Sequence, residues 1–379
     1  MAPIAIAFAV LDLTGSASDL GLVLAARMVP QLVFMVIGGV WADRLPRNLV
    51  MVASDLLTGG AQAATAALLL TGNAEIWHLV VLQATGGIGF AFFFPASTGL
   101  VPQTVESALL QQANAVLRMA LNVTSIGGAA LGGILVAAVG PGWALAIDAA
   151  TFFVSAGFLL AMRVTRGERL EAPNFLLELR EGWREFTSRT WLWVIVVAFG
   201  FLNAAFAGAF NVLGPVVAKS ELGGAAAYGA IFAAQALGLL LGAFVTLRFK
   251  PSRPLFVGCA AVIGMPPVLI LLAVGAPLPL IVAAALVMGI GIELFGVFWD
   301  TALQQHVPEH ALSRVSSYDA LGSFIFIPLG QLAAGPIAAA IGVDETLYLA
   351  AAVIAISAFA MVATPDIRRL RRLEPVAGS

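Results

Sequence analysis

The sequence predicts an all-α polytopic membrane protein: two pseudo-symmetric six-helix bundles, with the first helix truncated. Three observations carry this reading. The mean hydropathy is +0.98, and 60% of the residues are hydrophobic against 11% charged. Apolar runs of about 20 residues, the length a helix needs to cross the hydrocarbon core, recur along the whole chain. Residues 87–140 also align without a gap to residues 289–342. Lipid offers backbone groups no partners, so the runs must be helices or closed barrels. They lack the alternation of barrel strands.

In chain order, spans are expected at 20–42, 49–71, 76–97, 113–139, 143–162, 191–215, 224–247, 254–275, 278–300, 314–341 and 345–363. Before them stands "MAPIAIAFAVLDL". Thirteen helical residues rise about 20 Å, short of the hydrocarbon core. A signal peptide would want a basic start, and this segment has none. Residues 1–13 therefore read as the outer half of a first spanning helix, the intact protein having twelve. The arginines set the orientation. Of the 19 Lys and Arg, all but Arg27, Arg118 and Lys219 fall in alternate loops or in the C-terminal tail. The positive-inside rule places those segments, and so the C-terminus, in the cytoplasm.

The longest polar stretch is 163–190, where Leu176, Leu179, Trp183 and Phe186 share one helical face. It reads as a linker with an amphipathic helix lying on the inner membrane surface. It divides an N-terminal bundle, 1–162, from a C-terminal bundle, 191–363, followed by a cytoplasmic tail, 364–379. In the alignment of the halves "GIGFAFF" meets "GIGIELF", Gln103 meets Gln305, Gly128 meets Gly330 and Gly133 meets Gly335. The offset spans six helices and preserves orientation, which makes a parallel repeat about an axis along the membrane normal. Two such bundles would enclose a cavity near the midplane, exposed to each side in turn as they rock.

The loop "GGVWADRLPRN" carries Gly39, Asp43, Arg44 and Arg47 at the spacing G-x-x-x-D-R-x-x-R. Here the chain resembles the major facilitator superfamily of transporters, whose signature loop follows the second helix. Pro46 and Asn48 depart from the usual glycine and basic residue. Gly128, Gly132 and Gly133 match a second, helix-packing motif of the fifth helix, with Ala129 where its proline would stand; that departure weakens the antiporter implication. The wording from "LTGSASDLGLVLAARMVPQL" to "GPGWALAIDAATFFVSA" is similar to the bacterial branch containing the enterobactin exporter and drug permeases. The resemblance implies a gating loop: Asp43 facing a helix N-terminal dipole near Ser313–Ser317, and Arg47 within reach of Asp55, contacts that would bias the outward-open state.

Ionisable residues inside spans are costly and are functional candidates. Glu293, mid-span, is a candidate for proton coupling or for simple packing against a wet cavity. Arg27 can hold an anionic substrate or pair with an acid. Asp148 reads as a structural hydrogen-bonding group, and Arg118 as a snorkelling or paired one. Gln31, Asn122, Asn203, Asn211, Gln235 and Gln331 are polar positions that can line a substrate cavity or bond across helix interfaces. "HVPEH" mimics a zinc-protease pattern, but Pro308 interrupts any helix that would align the two histidines. No Walker A loop is present. The expectation is no enzyme, no metal and no cofactor.

The resemblance thus implies a secondary transporter of the bacterial inner membrane. It would be an exporter of a small amphipathic molecule of the siderophore or drug class, driven by protons and working by alternating access as a monomer among membrane lipid. No nucleic-acid partner is expected. The alternative is a non-transporting membrane protein, a sensor or a decayed transporter, which the short first segment favours. The membrane half of an ATP-driven pump is disfavoured by the repeat and the "ADRLPR" loop.

Overall fold

The computed structural model describes residues 1–105, 110–162 and 183–372. Within these, the side chains of residues 36–44, 98–99, 101–103, 110–115, 118–119, 122, 309–314 and 317 lie outside the description. Every described element is helical. The helices are α1 (Ala2–Leu13), α2 (Ala17–Arg44), α3 (Arg47–Leu70), α4 (Ile76–Thr104), α5 (Leu110–Ala161), α6 (Thr190–Phe206) and α7 (Gly214–Glu221). They continue with α8 (Ala225–Arg248), α9 (Pro254–Ala261), α10 (Pro266–Ala273), α11 (Leu278–His306), α12 (Glu309–Phe324), α13 (Ile327–Ile341), α14 (Val343–Ala363) and α15 (Pro365–Arg369).

Each expected span lies in helix, and the differences have local causes. Among the described residues nine stretches are long and apolar enough to cross a membrane. Helix α3 is not one of them, because one of its faces is polar: Ser54, Asp55, Thr58, Gln62 and Thr65 are all buried. Another stretch, Val123–Ala161, takes in most of the spans expected at 113–139 and 143–162, divided where Gly140 turns the chain ahead of Pro141. The span expected at 191–215 runs through a π-helical segment, Ala207–Leu213, to Glu221. That at 254–275 is broken by a 3-10 turn, Val262–Gly264, before Pro266. The span expected to end at 300 reaches His306, and the next begins at Glu309. "HVPEH" is therefore a helix end, a Val307–Pro308 break and a helix start.

The repeat is visible in the backbone. Gly140 and Gly342, its aligned last residues, adopt φ 84°, ψ 167° and φ 105°, ψ 156°. Only glycine enters that region without strain. Helix ends are capped locally: the amide of Asp19 donates to Ser16 Oγ at 3.1 Å, and Glu75 and His78 form a reciprocal box opening α4.

The chain forms two compact units: Met1–Glu171 with Val212–Ala230 and Gln331–Pro336, and Ala172–Asn211 with Ile231–Gly330 and Ile337–Ser379. In the first, residues Ile4–Leu11 of α1 are all buried. Lys219 of α7 donates to Leu11 O and pairs with Asp12, and Phe8 lies against Tyr228. Gly133 meets Ala225 O and Gly229 at the start of α8, while its aligned partner Gly335 meets Ser18 at the start of α2. In the second unit, Trp183 and Phe186, the described part of the expected linker face, pack on Tyr318 of α12. Leu176, Leu179 and the rest of 163–182 lie outside the described residues. The C-terminal segment is held by the amide of Arg372 on Ser252 O and by His306 Nε2 against Arg371 O, at 3.0 and 3.1 Å.

Candidate functional site

The first unit contains a chain of polar side chains buried among apolar helices. Helices α2 and α4 approach so closely that a Cβ on Gly87 would overlap the carbonyl of Arg27. One turn before Gly87, Gln83 faces the Arg27 side chain, whose Nη1 donates to Gln83 Oε1 at 3.3 Å. Gln83 Nε2 donates to Gln62 Oε1 at 3.3 Å. Gln62 Nε2 donates in turn to Asp148 Oδ2 at 3.1 Å. Four helical segments are thereby linked: α2, α4, α3 and the second half of α5.

The register between α3 and α5 explains the last link. The two run antiparallel, Gly59 abutting the Cβ of Phe152. Two turns apart on the same seam, Asp55 bonds Ser155 and Gln62 bonds Asp148. Gln62 and Gln83 are 2% and 3% exposed, so their amides depend on these partners. Asp55 is also buried, and its Oδ2 has no hydrogen-bond partner among the described residues. A side-chain bond joins it to Ser155 of α5.

In the second unit the polar centre is Asp319 of α12. It accepts from Trp299 Nε1 at 2.8 Å and from Ser323 Oγ at 3.1 Å. Asn203 Nδ2 donates to the carbonyl of Ser323 at 2.9 Å, so this residue ties α6 to α12. Glu293 is half-buried on α11, its Cβ and Cγ against Gly242 of α8. Gln235 sits at the same helix pair, its carbonyl against Gly289. Gly87 against Arg27 and Gly289 against Gln235 are the same contact in the two repeats.

Of the other expected positions, Gln31 is half-buried one turn beyond Arg27. Gln331 is buried in the first unit, its carbonyl against Gly21 and its Oε1 without a partner among the described residues. Gly128 and Gly132 face Met1. Arg47 opens α3. The side chains of Gly39, Asp43, Arg44, Arg118 and Asn122 lie outside the described residues. Gln62, Gln83 and Asp319 were not among the expected site residues, and Asp55 was expected only as a neighbour of Arg47. The signal for the α3 group was present, since Ser54, Thr58, Gln62 and Thr65 recur at helical spacing in an apolar run. Among the described residues no three His, Cys, Asp or Glu come together to hold a metal.

The Major Facilitator Superfamily model matches residues 1–330. The chain belongs to that superfamily. It is 29% identical to the multidrug efflux pump Tap of Mycolicibacterium fortuitum, covering 97% of this chain and 92% of that one. It is 23% identical to macrolide efflux protein A of Streptococcus pyogenes, covering 98% and 92%. Two solved structures share the fold. The nucleoside transporter NupG aligns with a TM-score of 0.75 at 12% identity, over 98% of this chain and 95% of that one. A bacterial homologue of the iron transporter ferroportin aligns at 0.67 and 15% identity, over 95% and 94%. Membership of the superfamily makes the chain a multi-pass membrane protein for small-molecule substrates and not an enzyme.

Proposed function

We propose that the chain is a secondary active exporter of small amphipathic, drug-class molecules, driven by proton entry and working by alternating access. One observation carries this: along nearly its whole length the chain is similar to proteins named as drug efflux pumps. The buried polar groups support it, because charge inside a membrane bundle is costly and is kept where a pathway uses it. Arg27 is the substrate-contacting cation of the first unit, with Gln31 and Gln331 as neighbouring polar positions. Asn122, Asn203 and Gln235 are further lining candidates, and Gly128, Gly132 and Gly133 a packing motif. Glu293 is the proton-coupling carboxylate. Gly39, Asp43, Arg44 and Arg47 form the gating loop on the cytoplasmic side of a bacterial inner membrane, with the C-terminus on that side too. The bundles fall at 1–162 and 191–363, and the unit of function is a monomer.

Efflux of a panel of drugs, dyes and siderophores from cells expressing the chain, with and without a protonophore, tests the reading. Efflux that collapses with the protonophore is expected for a drug or dye. Efflux confined to siderophores would refute the substrate class. Efflux insensitive to the protonophore would refute the coupling.

A further inference from the structure

The chain Arg27–Gln83–Gln62–Asp148 has a direction. Arg27 only donates and an ionised Asp148 only accepts, so each glutamine between them must present its oxygen toward Arg27 and its amide nitrogen toward Asp148. Neither amide can flip without breaking two bonds. The guanidinium has five N–H donors but spends one on Gln83, its single described hydrogen bond. Gly86 lies beside Nη1, close enough that a Cβ there would touch it at 3.4 Å. A half-buried cation is therefore held in one orientation, under-used as a donor, with its counter-charge displaced to the far end of two amides.

We propose that Asp148 is the remote counter-charge of Arg27 and sets the charge preference of the substrate site at Arg27. It acts as a positioning residue through Gln62 and Gln83 without touching substrate. This rests on the reading of Arg27 as a substrate contact. With Asp148 ionised, Arg27 and Asp148 sum to no net charge, which suits neutral and cationic amphipaths. Removing the carboxylate leaves an uncompensated cation whose free donors match an anionic group. The α-ammonium of Met1 also faces Asp148, so the effect must be shown to pass through Arg27.

The experiment uses the purified full chain in detergent, with ethidium as a cationic probe and fluorescein as an anionic one. Binding of each is read by fluorescence anisotropy. Asp148→Asn is expected to raise the fluorescein-to-ethidium affinity ratio about a hundredfold, about tenfold from each probe, the effect of one unit charge across roughly 10 Å in a partly screened interior. Asp148→Glu should keep the parent ratio, and Arg27→Gln/Asp148→Asn should return to it. A ratio unmoved by Asp148→Asn, or a double variant that stays at the Asp148→Asn ratio, overturns the proposal, as does a parent that binds neither dye. A parent that binds the dyes but transports neither refutes the exporter reading while the ratio still decides this one. If Asp148→Asn does not fold, Arg27→Gln and the double variant remain. The double variant is expected to melt higher, because Arg27→Gln alone strands a half-buried carboxylate; a double variant that melts no higher overturns the proposal.

Discussion

Replacing Gln62 by leucine removes the middle of the polar chain while keeping side-chain volume close. Two interhelical bonds are lost, one at 3.1 Å to the carboxylate of Asp148 and one at 3.3 Å from the amide of Gln83. In membrane proteins such bonds average about 0.6 kcal/mol, with an upper value of about 1.7. The carboxylate bond is shorter and charge-assisted and belongs near the upper value; the amide bond belongs near the mean. Their sum is about 2 kcal/mol. Gln83 is 3% exposed, and its stranded donor adds desolvation cost, which brings the expected loss to about 2–4 kcal/mol. Reversible unfolding of purified protein in mixed detergent micelles would measure it. A Gln62→Leu/Asp148→Asn pair should be less than additive, because the two changes break the same bond. A loss below about 0.5 kcal/mol, or strict additivity, would refute the view that the chain is an energetically coupled unit.

Other expectations follow from single contacts. Gly87→Ala should destabilise the fold, because overpacking against the Arg27 carbonyl costs about 1–3 kcal/mol and helix propensity returns at most about 1; thermal melting checks it, with Gly289→Ala moving the same way. Gly127→Ala meets nothing within 4 Å and should raise stability by up to about 1 kcal/mol in the same assay. Glu293→Gln should weaken substrate exchange driven by an imposed pH gradient in proteoliposomes, and equal rates in variant and parent would remove Glu293 from the coupling role. Asp43→Asn should lower efflux about fivefold or more while the protein stays in the membrane; unchanged rates would dismiss the gating role of the loop.

The helical, multi-pass architecture was legible because lipid leaves the chain so few choices. The break at Gly140 was legible too, since the next residue is proline and its aligned partner Gly342 ends the other repeat. The polar chain was only half legible. Arg27 inside a span demanded a partner, and Asp148 was read as a hydrogen-bonding group. Nothing in sequence spacing says that two glutamines on two other helices join them. That follows from the Gly87 contact, which brings α2 onto α4, and from the antiparallel seam of α3 on α5. Asp319 was missed for a related reason: its partner Trp299 lies on another helix, and an aromatic N–H donor carries no periodic signal. Asp55, expected beside Arg47, bonds Ser155 across that same seam. The helical stripe that revealed this, Ser54 through Thr65, also explains why α3 is too polar to stand out as a span.

Export of drug-class molecules at the expense of a proton gradient is decided by dye and drug efflux from cells producing the chain, followed before and after a protonophore is added. Efflux above that of cells without the chain, collapsing when the gradient is discharged, is expected. Protein present in the membrane with no efflux above background, or efflux that persists without the gradient, would contradict it.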